Sequence, residues 1–183
     1  MSNSIAIGDT VNSTNTSSIG IGNLVTSSGF GSIGIGRSLT SNGNFSVAIG
    51  FTTSAGVDGV GIGRFVNAGG VDDVCIGSGS SNAVHTGPYN VSLGSDASRN
   101  NIGTVGQNVC IGRFTMYNNL TGGNNVAIGH ESSSGQLSDD IVSVGNNSHY
   151  GNTSSYPGTA SQSGTTVTGV GTSFSPEMVG GVI

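Results

Sequence analysis

The tetrapeptide Val/Ile–small–aliphatic–Gly returns ten times, and this recurrence leaves the chain very few folds. Its closing glycines are Gly8, Gly22, Gly36, Gly50, Gly63, Gly77, Gly94, Gly112, Gly129 and Gly145. They lie 13 or 14 residues apart as far as Gly77 and 16 to 18 apart beyond it. Such a unit cannot fold alone. Ordering each residue costs about 1–2 kcal/mol of backbone entropy, whereas the few aliphatics in a unit return about 1.5–3 kcal/mol each on burial. Copies must therefore stack on one another.

Within the motif the apolar residues alternate. Ile5 and Ile7, Ile19 and Ile21, and Val47 and Ile49 would share one face of a strand, because side chains repeat every second residue. β-branched residues at a period of two specify strand rather than helix. The middle position is always small: Ala6, Gly20, Gly34, Ala48, Gly61, Cys75, Ser92, Cys110, Ala127 and Ser143. A slot limited to small residues faces something close, and the backbones of neighbouring chains are the expected neighbours. A second apolar position follows three residues after the glycine, at Val11, Val25, Leu39 and Val66, and then a turn residue, Asn15, Gly29 or Gly43. Each unit reads as strand, turn, short strand, turn, which is too short for a βαβ crossover. The expected fold is all-β: a parallel β-roll or β-solenoid of about ten short coils over residues 1–145. So thin a core predicts lateral association, and a threefold bundle of the chain with itself, an elongated homotrimer, suits a rod.

Charge narrows the partners. Only 7% of the 183 residues are charged, the basic residues are four arginines, and the net charge is −5. That excludes the clustered Lys and Arg of a nucleic-acid footprint. No stretch reaches the roughly 20 apolar residues of a membrane helix, so no membrane insertion is expected. The opening MSNSIAIG has neither the basic start nor the long apolar run of a secretory leader.

The segment SVAIGFTTSAGVDGVGIGRFVNAGG (46–70) resembles the head repeats of trimeric autotransporter adhesins, which are parallel β-rolls. The segment NVCIGRFTMYNNLTGGNNVAIG (108–129) resembles the longer repeats of viral and phage tail-fibre proteins. Together the resemblance covers about residues 4–145. It implies left-handed winding and a trimeric fibre segment at the virion surface. That segment would be a non-catalytic spacer with a role in attachment to host-surface glycans. The head of a secreted bacterial adhesin, at the cell surface, and a self-assembling extracellular filament subunit are the alternatives. Residues 146–162 read as a Ser/Gly/Thr/Asn-rich connector. The tail 163–183 looks like the opening of a small β module common in viral fibres, with Thr165 to Val170 alternating as a strand.

Each candidate site also has a plain packing reading. Cys75 and Cys110 fill the same slot two coils apart, which is too far for a disulfide, so both read as buried thiols. No metal-ligand spacing occurs around His85, His130 or His149, and no metal or other cofactor is expected. Arg37, Arg64 and Arg113 directly follow the motif glycine, as do Phe51 and His130. That row reads as solvated or packed between chains, where it could meet acids such as Asp58 or Asp72 on adjacent coils or chains; binding a charged glycan is the alternative. The pairs Asp72-Asp73 and Asp139-Asp140 read as solvated turns ahead of Ca²⁺ ligands. GVGIGR mimics a phosphate loop, but it recurs and no helix follows. No catalytic residue emerges. The longer coils carry insertions, and insertions in repeat proteins gather on one exposed face. His85, Tyr89, Arg99 and Tyr117 are therefore the candidate ligand contacts.

Overall fold

The computed structural model describes residues 3–81, 87–100, 106–118, 122–135 and 139–148, together with the backbone of 159–163 and 166–170. Among these residues there is no helix. The chain divides into two units, Met1–Gly151 and Asn152–Ile183.

The first unit is a parallel β-solenoid. Three long strands open it, β1 (Ile5–Ser13), β2 (Ile19–Ser27) and β3 (Ile33–Ser41). In the next two coils the long strand breaks in two: β4 (Val47–Phe51) with β5 (Ser54–Ala55), then β6 (Val60–Arg64) with β7 (Asn67–Ala68). The later coils keep only the motif strand: β8 (Val74–Ile76), β9 (Val91–Leu93), β10 (Val109–Ile111), β11 (Val126–Ile128) and β12 (Val142–Val144). All ten motif strands pair in parallel in chain order, motif on motif. Ile5 lies beside Ile19, Ile19 beside Ile33 and Val47 beside Val60. In the longer coils Cys75, Ser92, Cys110, Ala127 and Ser143 form one column.

The motif glycine turns every coil at the same point. Gly22 has φ +139°, a region closed to most side chains. A Cβ there would collide with the carbonyl oxygen of Gly36 in the next coil. Two residues further on, a non-glycine residue takes the left-handed conformation in almost every coil: Thr10, Leu24, Ser38, Thr52, Phe65, Asp96, Phe114, Glu131 and Asn147. That conformation costs energy, but from Thr52 on it aims the N–H at the preceding coil. Asp96 N donates to Ser78 O (2.8 Å), Phe114 N to Ser95 O (3.1 Å) and Glu131 N to Arg113 O (2.9 Å).

The core corrects one expectation. The small slots do not face a neighbouring chain. They point into their own coil and are buried from Gly20 to Ser143; only Ala6, on the outermost rung, is exposed. They meet the second apolar position there, so Val25, Leu39, Ala48 and Ala55 form one cluster, and Val66, Ala68 and Cys75 another. The flanking aliphatics point outward instead. Ile7 is 57% exposed, and Ile35, Ile76, Ile111 and Ile128 lie between 36% and 38%. The coil is too narrow for two large side chains on facing walls, so the small residue goes inside and the branched pair outside.

Polar groups complete the interior. In the shorter coils serine hydroxyls pair across the turn: Ser27 with Ser32 (2.8 Å) and Ser41 with Ser46 (2.7 Å), while Ser32 and Ser46 also donate to Gly29 O and Gly43 O. In three of the longer coils the residue before the motif is asparagine, Asn90, Asn108 and Asn125, and these stack. The buried Asp73 carboxylate accepts from Gly70 N and from both the backbone N and Nδ2 of Asn90. Asn90 Oδ1 accepts from Asn108, Asn108 Oδ1 from Asn125 N (3.1 Å), and Asn125 Oδ1 from Ile141 N (2.8 Å). Each side-chain oxygen of this Asp73–Asn125 column thus satisfies a donor of the next coil.

The second unit contains an antiparallel hairpin of β13 (Thr159–Ser163) and β14 (Thr166–Val170). Strand β14 matches the alternation from Thr165 to Val170, and β13 starts within the stretch read as connector and ends one residue past it.

Candidate functional site

Two corners flank the motif strand in every coil. The one before the strand carries Phe30, Phe45, Val57, Val71 and Tyr89, all exposed. The one after it carries the arginines. Each guanidinium lies on an aromatic ring: Arg37 over Phe51 (5.6 Å to the centroid), Arg64 over Phe65 (4.5 Å) and Arg113 over Phe114 (4.3 Å). The arginine row therefore stacks on Phe, and no ion pair with Asp58 or Asp72 accompanies it. Because the motif register is strict, residues at equal distance from the motif glycine fall in one column. Arg37 and Phe51 share such a column, and Phe65, one position further past its glycine, meets Phe51 edge to face at 5.6 Å.

The candidate ligand contacts separate. Tyr89 stands at the corner before β9, exposed. Arg99 and Tyr117 occupy one column on the other side, each five residues after its motif glycine. Arg99 is held by Asp96 at 2.8 Å. His85 lies outside the described residues, as does His149. Tyr117 packs edge to face on Phe114, with centroids 5.5 Å apart. Beside this pair, Phe114, Tyr117, Glu131 and Ser134 line a depression of about 240 Å³. His130 reaches the same place: its ring is 6.3 Å from Phe114, and Nε2 is 3.7 Å from Glu131 Oε1. Phe114, Glu131 and Ser134 escape a search for motifs. They emerge only when the two columns, two and five residues past the glycine, are read across successive coils. A second depression, of about 250 Å³, lies among Ser38, Thr40, Thr52, Thr53 and Asn67 with Val66. Its lining has no charged or aromatic side chain.

Other candidates resolve into structure. Cys75 and Cys110 are free and buried, with the Ser92 rung between them. Loss of hydration on burial pushes both thiols up to about 12. Cys110 Sγ also contacts Met116 Sδ at 3.2 Å. The pair Asp72-Asp73 does not act as one: Asp72 is exposed in a left-handed turn, while Asp73 is buried in the Asn column. Asp139 Oδ1 accepts from Gly123 N (2.7 Å). Among the described residues no three His, Cys, Asp or Glu side chains gather as metal ligands, and no helix is long and apolar enough to cross a membrane.

No family model, curated protein or solved structure matches the chain.

Proposed function

We propose that this chain is a non-catalytic segment of a homotrimeric viral or phage fibre, displayed at the virion surface, where it spaces and helps attach the particle to host glycans. One observation carries the oligomeric part. The aliphatics flanking the small slot point out of the coil on ten stacked strands as one strip, half-buried on the inner rungs, where Ile35 and Ile128 are each 37% exposed, and more open on the two end rungs. A contiguous apolar strip of that length on a soluble protein marks an association surface. Partners that repeat at the same spacing, of about 4.8 Å per rung, cover it best, and a copy of the same chain does so by construction. The viral assignment rests on the likeness of segment 108–129 to fibre repeats. The regular, side-chain-filled coil suits a spacer.

Electron microscopy of the purified chain tests this reading. Discrete rods about 50 Å long in their repeat region are the expected result. Filaments of indefinite length would favour a self-assembling subunit and overturn the spacer role.

A further inference from the structure

The groove between the columns two and five residues past the motif glycine differs from coil to coil. After Gly94 the two positions are Asp96 and Arg99, which bridge each other at 2.8 Å and close the groove with their own charges. After Gly112 they are Phe114 and Tyr117, and after Gly129 they are Glu131 and Ser134. Those four line the open depression of about 240 Å³. An aromatic rung therefore sits one coil, about 4.8 Å, from a rung bearing a carboxylate and a hydroxyl.

From this juxtaposition we infer that Phe114, Tyr117, Glu131 and Ser134 form a binding site for a neutral pyranose unit of a glycan. The inference rests on the attachment reading above and gives it a location. A pyranose presents C–H groups on its faces and hydroxyls around its rim. The perpendicular Phe114 and Tyr117 rings (87°) form an apolar corner for the C–H groups. The Glu131 carboxylate accepts hydrogen bonds from two neighbouring hydroxyls, and the Ser134 hydroxyl both donates and accepts. Charge selects among ligands. The Arg113 guanidinium stands 4.3 Å over the Phe114 ring, so an ammonium group approaching that ring meets a like charge. The Glu131 carboxylate repels an anionic sugar in the same way. A neutral polyol satisfies both.

The test uses the full chain and saturation-transfer NMR with the methyl glycosides of glucose, mannose, galactose and N-acetylglucosamine. Tetramethylammonium and sialic acid serve as charged probes. At least one neutral glycoside should bind. Tyr117→Ala and Glu131→Gln should each weaken it tenfold or more, while Val71→Ala, at the opposite corner, should leave it unchanged. Glu131→Gln keeps the side chain's shape, so it decides the question even where Tyr117→Ala disturbs the coil, which circular dichroism would reveal. No neutral binding at millimolar ligand would overturn the inference, as would preference for either charged probe. Neutral binding that survives Glu131→Gln would leave the attachment reading standing and remove this site alone.

Discussion

Cys75 and Cys110 show how tightly single residues are held in this fold. Both occupy slots that Ala48 and Ala127 fill in other coils, and all four are completely buried. An unfolded thiol ionises near 9.0, but these stay protonated to about 12 because burial removes the water that would stabilise a thiolate. Between pH 9 and 12 the unfolded chain therefore holds fewer thiol protons than the folded one, so stability falls as pH rises through that window. The loss approaches about 1.4 kcal/mol per pH unit for each thiol. Replacing both with alanine should flatten that part of the slope in urea titrations from pH 8 to pH 11. Equal slopes in the two proteins would contradict the buried, protonated assignment. That small residues belong at this slot was legible from the sequence, but the direction they face was not. A period of two separates two faces without saying which is inner, and the usual rule that large aliphatics go inside misleads when a coil is too thin to hold them.

At the scale of the element, the parallel strands and their register followed directly from the repeat: ten motifs, ten rungs, motif on motif. The hydrogen-bonded interior was less legible. Ser32 and Ser46 or Asn108 and Asn125, read singly, are loop residues. Only stacking turns the serines before the shorter motifs into turn-closing pairs and the asparagines before the longer ones into a column whose side-chain oxygens meet the next coil's donors. Asn108 sits in the middle of that column, accepting from Asn125 N and donating to Asn90 Oδ1. Asn108→Leu keeps the volume and orphans groups on both sides, at a cost of about 1–3 kcal/mol for each buried group left unpaired. Asn42→Ala removes an exposed bond from Ser28 and should change stability by no more than about 0.5 kcal/mol. Urea unfolding of the two variants compares them. Similar midpoints would mean the Asn column does not hold the longer coils together. The candidate site was half visible at this scale. Tyr117 was picked out, but Arg99 proved to be spent on Asp96, and Phe114, Glu131 and Ser134 needed the register between coils.

Over the whole solenoid, the inside-out arrangement of the motif leaves an aliphatic strip on the surface, and the strip dominates the account of what the molecule does. Inward-facing serines, asparagines and small-slot residues, with Val25, Leu39, Val66 and Met116 opposite them, fill the coil without it. Burying outward residues such as Ile35, Ile62 and Ile111 against other chains would return about 25 cal/mol for each Å² of apolar surface removed from water. A charge on the strip should therefore harm assembly before it harms the coil. Light scattering on the purified chain, beside an Ile62→Glu, Ile111→Glu variant, tests this most directly. A native mass three times the 18.0 kDa chain, with a much smaller mass and retained strand signal in the variant, is the predicted result. A stable native monomer would contradict it.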